Sequence, residues 1–297
     1  MELRWIVSTA ASSLHAAAAL FDKGSLVDSR GSAERVAEFA AEVDGLRVDL
    51  TALGLEYRAF FEHAIPLSVR FDGIAPLAEV VLTKLVGGGF ASEGARQQLT
   101  RRLLALERTF RQANPGSLAE LELRAGPLGE QWEARGEGLL ASLARLTCPE
   151  AIVAEADVIL VLPVSGGLGV AHRLYNSVRI EAVLANPISE LPETVRLGWL
   201  LSQLNLDLPM FAELLPPGRA AVAGPLAMLP AVLAAASEVE WARSDVETLA
   251  QAVAAWSPGA VEAELLWQWW DTYQTSDSTW GVALAALDRM LGGEGAE

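Results

Sequence analysis

Between residues 165 and 181 the chain places Gly166, Gly167 and Gly169 just ahead of His172, Tyr175, Arg179 and Glu181. Each residue type has a chemistry. Glycine backbone can approach a phosphate closely, a neutral histidine beside a carboxylate serves as a general base or metal ligand, and arginine orients an anionic substrate. His172, Glu181, Arg179 and Tyr175 are therefore the catalytic candidates, and the three glycines the weaker cofactor-binding candidates. No full motif closes around them. The Walker phosphate loop ends in Gly-Lys-Ser/Thr, which is missing here. The dinucleotide fingerprint needs a third glycine three residues after Gly169, where His172 stands. It also needs a crossover helix, for which Val170–Ser177 leaves little room. The expected role of the glycines is thus a turn or bulge between antiparallel strands. Ser165 does not sit in a Gly-x-Ser-x-Gly elbow, because Val164 precedes it and Gly166-Gly167 follow.

Metal chemistry finds little material. The three histidines, His15, His63 and His172, form no zinc spacing, and Cys148 is the single cysteine. A disulfide within the chain and a thiolate cluster are both excluded. Thr147-Cys148-Pro149 ends a helical run and matches no nucleophile signature, so Cys148 is read as inert. The expectation is no metal and no cofactor, with a small molecule most plausible near 165–181.

The second concentration of functional residue types is aromatic: Trp256, Trp267, Trp269, Trp270, Tyr273 and Trp280. Core packing accounts for most such stripes. However, Trp269 and Trp270 cannot both face inward along one narrow stripe, and tryptophan and tyrosine dominate binding hot spots. Trp267, Trp269, Trp270 and Tyr273 are accordingly the candidate interaction residues, rimmed by Glu262, Glu264 and Asp271.

The elements that must position these residues follow from periodicity. Residues 157–162 and 178–184 read as strands, with Arg179 and Glu181 on one face able to form an ion pair. Residues 65–71 alternate before Asp72-Gly73, and 117–124 is a fourth strand candidate. The clearest helix is 92–113, with Ser92 as its cap, Leu99, Leu103, Leu106 and Phe110 on one face, and Asn114-Pro115-Gly116 as its stop. Its arginines (Arg96, Arg101, Arg102, Arg108, Arg111) form a local basic patch for an acidic partner or another part of the chain. Gly87–Gly89 separates two helices. Residues 128–147 read as helix with a possible break at Gly136-Glu137-Gly138, since each interior glycine costs about 1 kcal/mol. From 191 the signal is helical: 191–205, two or three helices across 209–240 interrupted at Gly224, Pro225 and Pro230, then 244–256, 258–273 and 279–291, with a frayed tail at 292–295.

The expected class is α+β and mainly helical, with a small three- to four-stranded mixed or antiparallel sheet packed by helices. One compact unit comprises a helical region 1–116 with one short strand, a strand-containing region 117–190 and a helical region 191–297. Composition bounds the partners. With 297 residues, 52% hydrophobic and 20% charged, the chain has ample core. A net charge of −16 repels phosphate backbones and anionic membrane surfaces, so neither nucleic acid nor membrane is an expected partner. Trp5-Ile6-Val7 faintly imitates a signal peptide, but Ser8, Thr9, Ser12, Ser13 and His15 dilute it and an alanine-rich helix follows. A cytoplasmic protein is expected.

The order strand, glycine-containing connection, strand, helix resembles the core of zincin metallopeptidases, whose helix carries His-Glu-x-x-His. The corresponding helix here, Leu191–Asn205, contains no histidine, and its window Gly198-Trp199-Leu200-Leu201-Ser202 offers neither ligand nor base. The resemblance implies a metal-free relative rather than a peptidase. The leading functional expectation is a non-catalytic interaction or scaffold protein with a protein partner or self-association. The alternative is a small-molecule binder or hydrolase-type enzyme using the 165–181 loop with His172 and Glu181.

Overall fold

The computed structural model describes residues 1–23, 32–86, 92–256 and 261–292. The expected separator Gly87–Gly89, positions 258–260 of an expected helix and the tail at 293–295 lie outside the described residues. Within them the protein is a mainly helical α+β structure around one four-stranded mixed sheet. The strands are β1 (Glu2–Val7), β2 (Glu155–Val161), β3 (Gly169–His172) and β4 (Ser177–Glu181), in the order β1-β2-β4-β3. β1, β2 and β4 are parallel, and β3 runs antiparallel to β4.

Two expected strands are present nearly as read, 157–162 as β2 and 178–184 as β4. Of the other two, 117–124 is helical, and 65–71 is the end of a helix (65–67) followed by a turn (68–71). Residues 57–67 form α3 (Tyr57–Leu67), which buries Phe60, Phe61, Ala64 and Ile65. That inward stripe, with Glu56 accepting from the Ala59 N–H at its start, outweighs the short alternation at 65–71. Residues 117–124 open α6 (Ser117–Leu146), one unbroken helix. Gly116, at φ +80, makes the turn out of Asn114-Pro115, and α6 begins immediately after it. Gly136 does not break α6, and the Trp132 indole occupies the space where a Cβ at 136 would be.

Two strands escaped the reading. β1 pairs with β2 across about half the chain, and the apolar Trp5-Ile6-Val7 run belongs to it. β3 is the short edge strand that follows the glycine loop.

Helix α1 (Thr9–Lys23) lays its small residues Ala11, Ala16, Ala17, Ala18 and Ala19 in the core beside Leu14, which permits close approach to β2. α2 (Ala33–Ala52), α4 (Ile74–Leu85) and α5 (Glu93–Ala113) complete the amino-terminal helical layer. The basic patch on α5 is largely neutralised within the chain. Arg102 bonds Glu42 and Asp49 of α2, Arg96 pairs with Glu93, and Arg111 with Glu107. On the other face of the sheet, α6 and α7 (Glu193–Leu201) pack against α9 (Ala220–Glu238), with a short α8 (Pro209–Ala212) between. α9 continues through Gly224, Pro225 and Pro230. It is the one described helix long and apolar enough to cross a membrane, and 72% of that window is buried inside the protein. α10 (Val246–Trp256), α11 (Ala263–Gln274) and α12 (Trp280–Met290) close the carboxyl-terminal layer.

Candidate functional site

The strand order explains the glycine segment. β4 lies between β2 and β3, so the chain leaving β2 must cross the carboxyl end of β4 before entering β3. Glu181 stands at that end. Its Oε1 accepts from the backbone N–H of Val164 (3.0 Å) and Ser165 (2.8 Å), and its Oε2 from Gly167 (2.6 Å) and Leu168 (3.1 Å). His15 of α1 adds a fifth contact, Nε2 to Oε1 at 2.8 Å. Burial alone would raise the pKa of this carboxyl. The His15 hydrogen bond and charge, with the Val164 and Gly167 amides, outweigh it and hold the pKa down to about 2. The loop is a nest of amides of the kind that binds anions, and the chain fills it with its own carboxylate. It is not a turn between paired antiparallel strands, because β2 and β3 do not pair.

The remaining catalytic candidates are buried rather than gathered round an opening. His172, 1% exposed, directs Nδ1 to Glu62 Oε2 of α3 at 3.1 Å. Desolvation outweighs the Glu62 hydrogen bond and charge and lowers its pKa, so the imidazole is neutral at pH 7. Arg179, 8% exposed, has its pKa lowered by desolvation to about 10, with Glu62, Asp22 and Glu181 acting in the opposite direction. Its Nε and Nη1 find no hydrogen-bond partner. The expected Arg179–Glu181 ion pair is not among the described ion pairs; the two share a strand face, but Glu181 is held by the loop and His15. Tyr175 is also buried, with its hydroxyl bonded to His63 Nδ1. Ser177, Arg179 and Glu181 thus give β4 a wholly polar face, closed by α1 and α3.

Sequence reasoning missed His15, Glu62, Glu193 and Arg196. The last two open α7 and are 5% and 4% exposed, with 3.3 Å between Arg196 Nη2 and Glu193 Oε1. Burial pushes the Glu193 carboxyl up to about 7, against the Arg196 charge and with that of Glu181. Burial likewise lowers the Arg196 pKa. The Arg196 guanidinium lies between the loop and the Trp256 ring, 5.5 Å from its centroid. A Cβ at Gly167, where φ is +112, would come 2.7 Å from Pro187 and 3.2 Å from Arg196. The Gly167 requirement is therefore packing and backbone conformation. The spacing Glu193-x-x-Arg196 was the available signal, because i, i+3 residues share a helix face.

α7 meets the glycine segment through Arg196 beside Gly167 and through Leu200 beside Gly169. Among the described residues no group of three His, Cys, Asp or Glu side chains is placed to hold a metal ion.

The aromatic cluster is core. Trp269 and Trp270 are both buried, at 3% and 5% exposure, contrary to the expectation that one would face outward. Trp269, Tyr273 and Trp280 pack ring against ring, and Trp269 Nε1 donates to the Ala283 carbonyl. Trp267 and Tyr273 are half-buried against the same core. Two faces of α11 are covered because α9 and α12 pack on it from different sides. Burial raises the Cys148 thiol pKa, in keeping with an inert cysteine. No protein-family model, curated protein or solved structure matches this chain.

Proposed function

We propose that this is a non-catalytic interaction or scaffold protein on a zincin-like strand, loop, strand and helix core that lacks metal chemistry. The observation that carries the reading is the α7 segment. Over Leu191–Asn205, where the resemblance would call for two histidines, this chain has none, and Glu193 is buried against Arg196. Glu181 supports it too, since a carboxylate already accepting from four amides and His15 has no capacity to serve as a base. The surface best suited to a partner is not aromatic. Met210, Leu214 and Val282, respectively 48%, 52% and 57% exposed, meet around Gly281 where α8 approaches α12.

Elemental analysis of the purified protein, with a casein-cleavage assay run with and without chelator, tests the reading. The expected result is no stoichiometric zinc and no chelator-sensitive cleavage; bound zinc or such cleavage would overturn it. A second reading, a small-molecule binder at 165–181, is favoured by the buried, hydrogen-bond-free Glu193 carboxylate oxygens, Thr194 Oγ1 and Arg196 Nε beside the loop. A thermal-shift screen of small amides and acids addresses it. Stabilisation lost in Gly167→Ala supports it, and no stabilisation by any compound removes it.

A further inference from the structure

At the amino ends of β1 and β2, the end of the sheet away from the glycine loop, charged side chains surround a cleft of about 520 Å³. That is within the range of small-ligand sites. Parallel register sets Glu2 beside Glu155 and, two residues further on, Arg4 beside Asp157. Asp157 is 8% exposed and accepts Arg4 Nε and Nη2, each at 2.8 Å, and Arg70 Nη2 at 3.4 Å. Arg70 Nη2 also donates to the Tyr175 carbonyl at 2.8 Å. One buried carboxylate therefore holds two guanidinium groups, whose side chains stay 64% and 42% exposed.

The charges do not cancel locally. Asp157 offsets one of the two arginine charges and leaves the other facing the cleft. One rung away, Glu2 and Glu155 put like charges on directly paired positions, an arrangement that costs stability unless a positive group lies between them. Two residues of strand separate the rungs, roughly 6.6 Å. An anion alone would sit against Glu2 and Glu155, and a cation alone against the arginines. A ligand with both charges a few ångströms apart satisfies both rungs. An extended peptide longer than two residues holds its terminal charges farther apart than this spacing.

The geometry points to a binding site for a free α-amino acid, with its carboxylate on Arg4 and Arg70, its ammonium between Glu2 and Glu155, and its side chain toward Asn176 and solvent. The site is independent of the α7 turn and of the reading built on it.

Saturation-transfer NMR with each standard L-amino acid and the full chain tests the assignment. For any that bind, the N-acetyl derivative and the carboxamide are titrated in the same way. At least one amino acid binds saturably, and each derivative binds about tenfold more weakly or worse, the scale of losing a charge-assisted hydrogen bond. Arg70→Gln and Glu155→Gln, both at exposed side chains, each reduce binding by a similar factor with unchanged circular dichroism. No saturable amino acid, a derivative that binds as well as its parent, or variants that bind like wild type would each overturn the assignment.

Discussion

The Nε2 of His15 lies 2.8 Å from Oε1 of Glu181, with side chains 1% and 0% exposed, and the contact joins the first helix to the last strand of the sheet. Around it the glycine loop is tied down by four amide hydrogen bonds to the same carboxylate. Glu181, one of the catalytic candidates, is the fastening of the connection from β2 to β3.

Glu181→Gln removes the charge and cannot accept from all four amides, because the amide nitrogen is itself a donor. Breaking a buried pair from one side costs about 3–5 kcal/mol, and urea unfolding at pH 7 reads the loss. The folded-state pKa of about 2 lies below the ordinary 4.5. The stabilisation from this group is therefore fully present above pH 4.5 and is lost as pH falls toward 2. Wild type has a steep acid limb in that window, and the variant a shallower one. Equal limbs would mean that Glu181 is not ionised in the fold.

Glu193 has the opposite sign. Its folded-state pKa of about 7 lies above 4.5, so between those values the folded protein keeps a proton that the unfolded chain has released. Its contribution falls as pH rises from 4.5 to 7. Subtracting the Glu193→Gln stability curve from that of wild type isolates a decline across this window. A flat difference would show that Arg196 keeps Glu193 ionised throughout.

Arg179→Met tests the polar face of β4. A buried guanidinium with Nε and Nη1 unbonded gains little from its surroundings, and replacing such a cation with an apolar side chain of similar length is often neutral or stabilising. The expected change is a loss of under about 1 kcal/mol or a gain. A loss above about 3 kcal/mol in urea unfolding would mean that Arg179 is firmly paired.

Trp269→Ala removes a ring stacked on Tyr273 and edge-on to Trp280, and costs about 3–5 kcal/mol of stability. Light scattering on the eluted protein gives the wild-type molar mass, because the side chain is in the core. A changed mass with an unchanged unfolding midpoint would restore the residue to an interface.

Local pattern carried the helical class, the small sheet, β2, β4 and the cap, stripe and stop of the helix at 93–113, because 3.6- and 2-residue periodicities are written in neighbouring residues. It misassigned 65–71, where the alternation spans a helix end and the turn after it, and 117–124, where it belongs to a longer helical stripe. It missed β1, whose strand character depends on β2 from the far half of the chain. The glycine connection and the polar residues of 165–181 were legible as a group, as were their failures against the phosphate and dinucleotide patterns. The roles of its residues were not. Glu181 has His15 as a partner because β4 is inserted between β2 and β3, a strand order that no local period encodes. Likewise the Glu193–Arg196 spacing is visible in the chain, but the burial that raises one pKa and lowers the other is set by the loop, Pro187 and Trp256 packing over that turn. Sequence determined which groups could do chemistry; tertiary packing decided that Glu181, His172 and Arg179 are enclosed, because a sheet face closed by α1 and α3 leaves them no route to solvent.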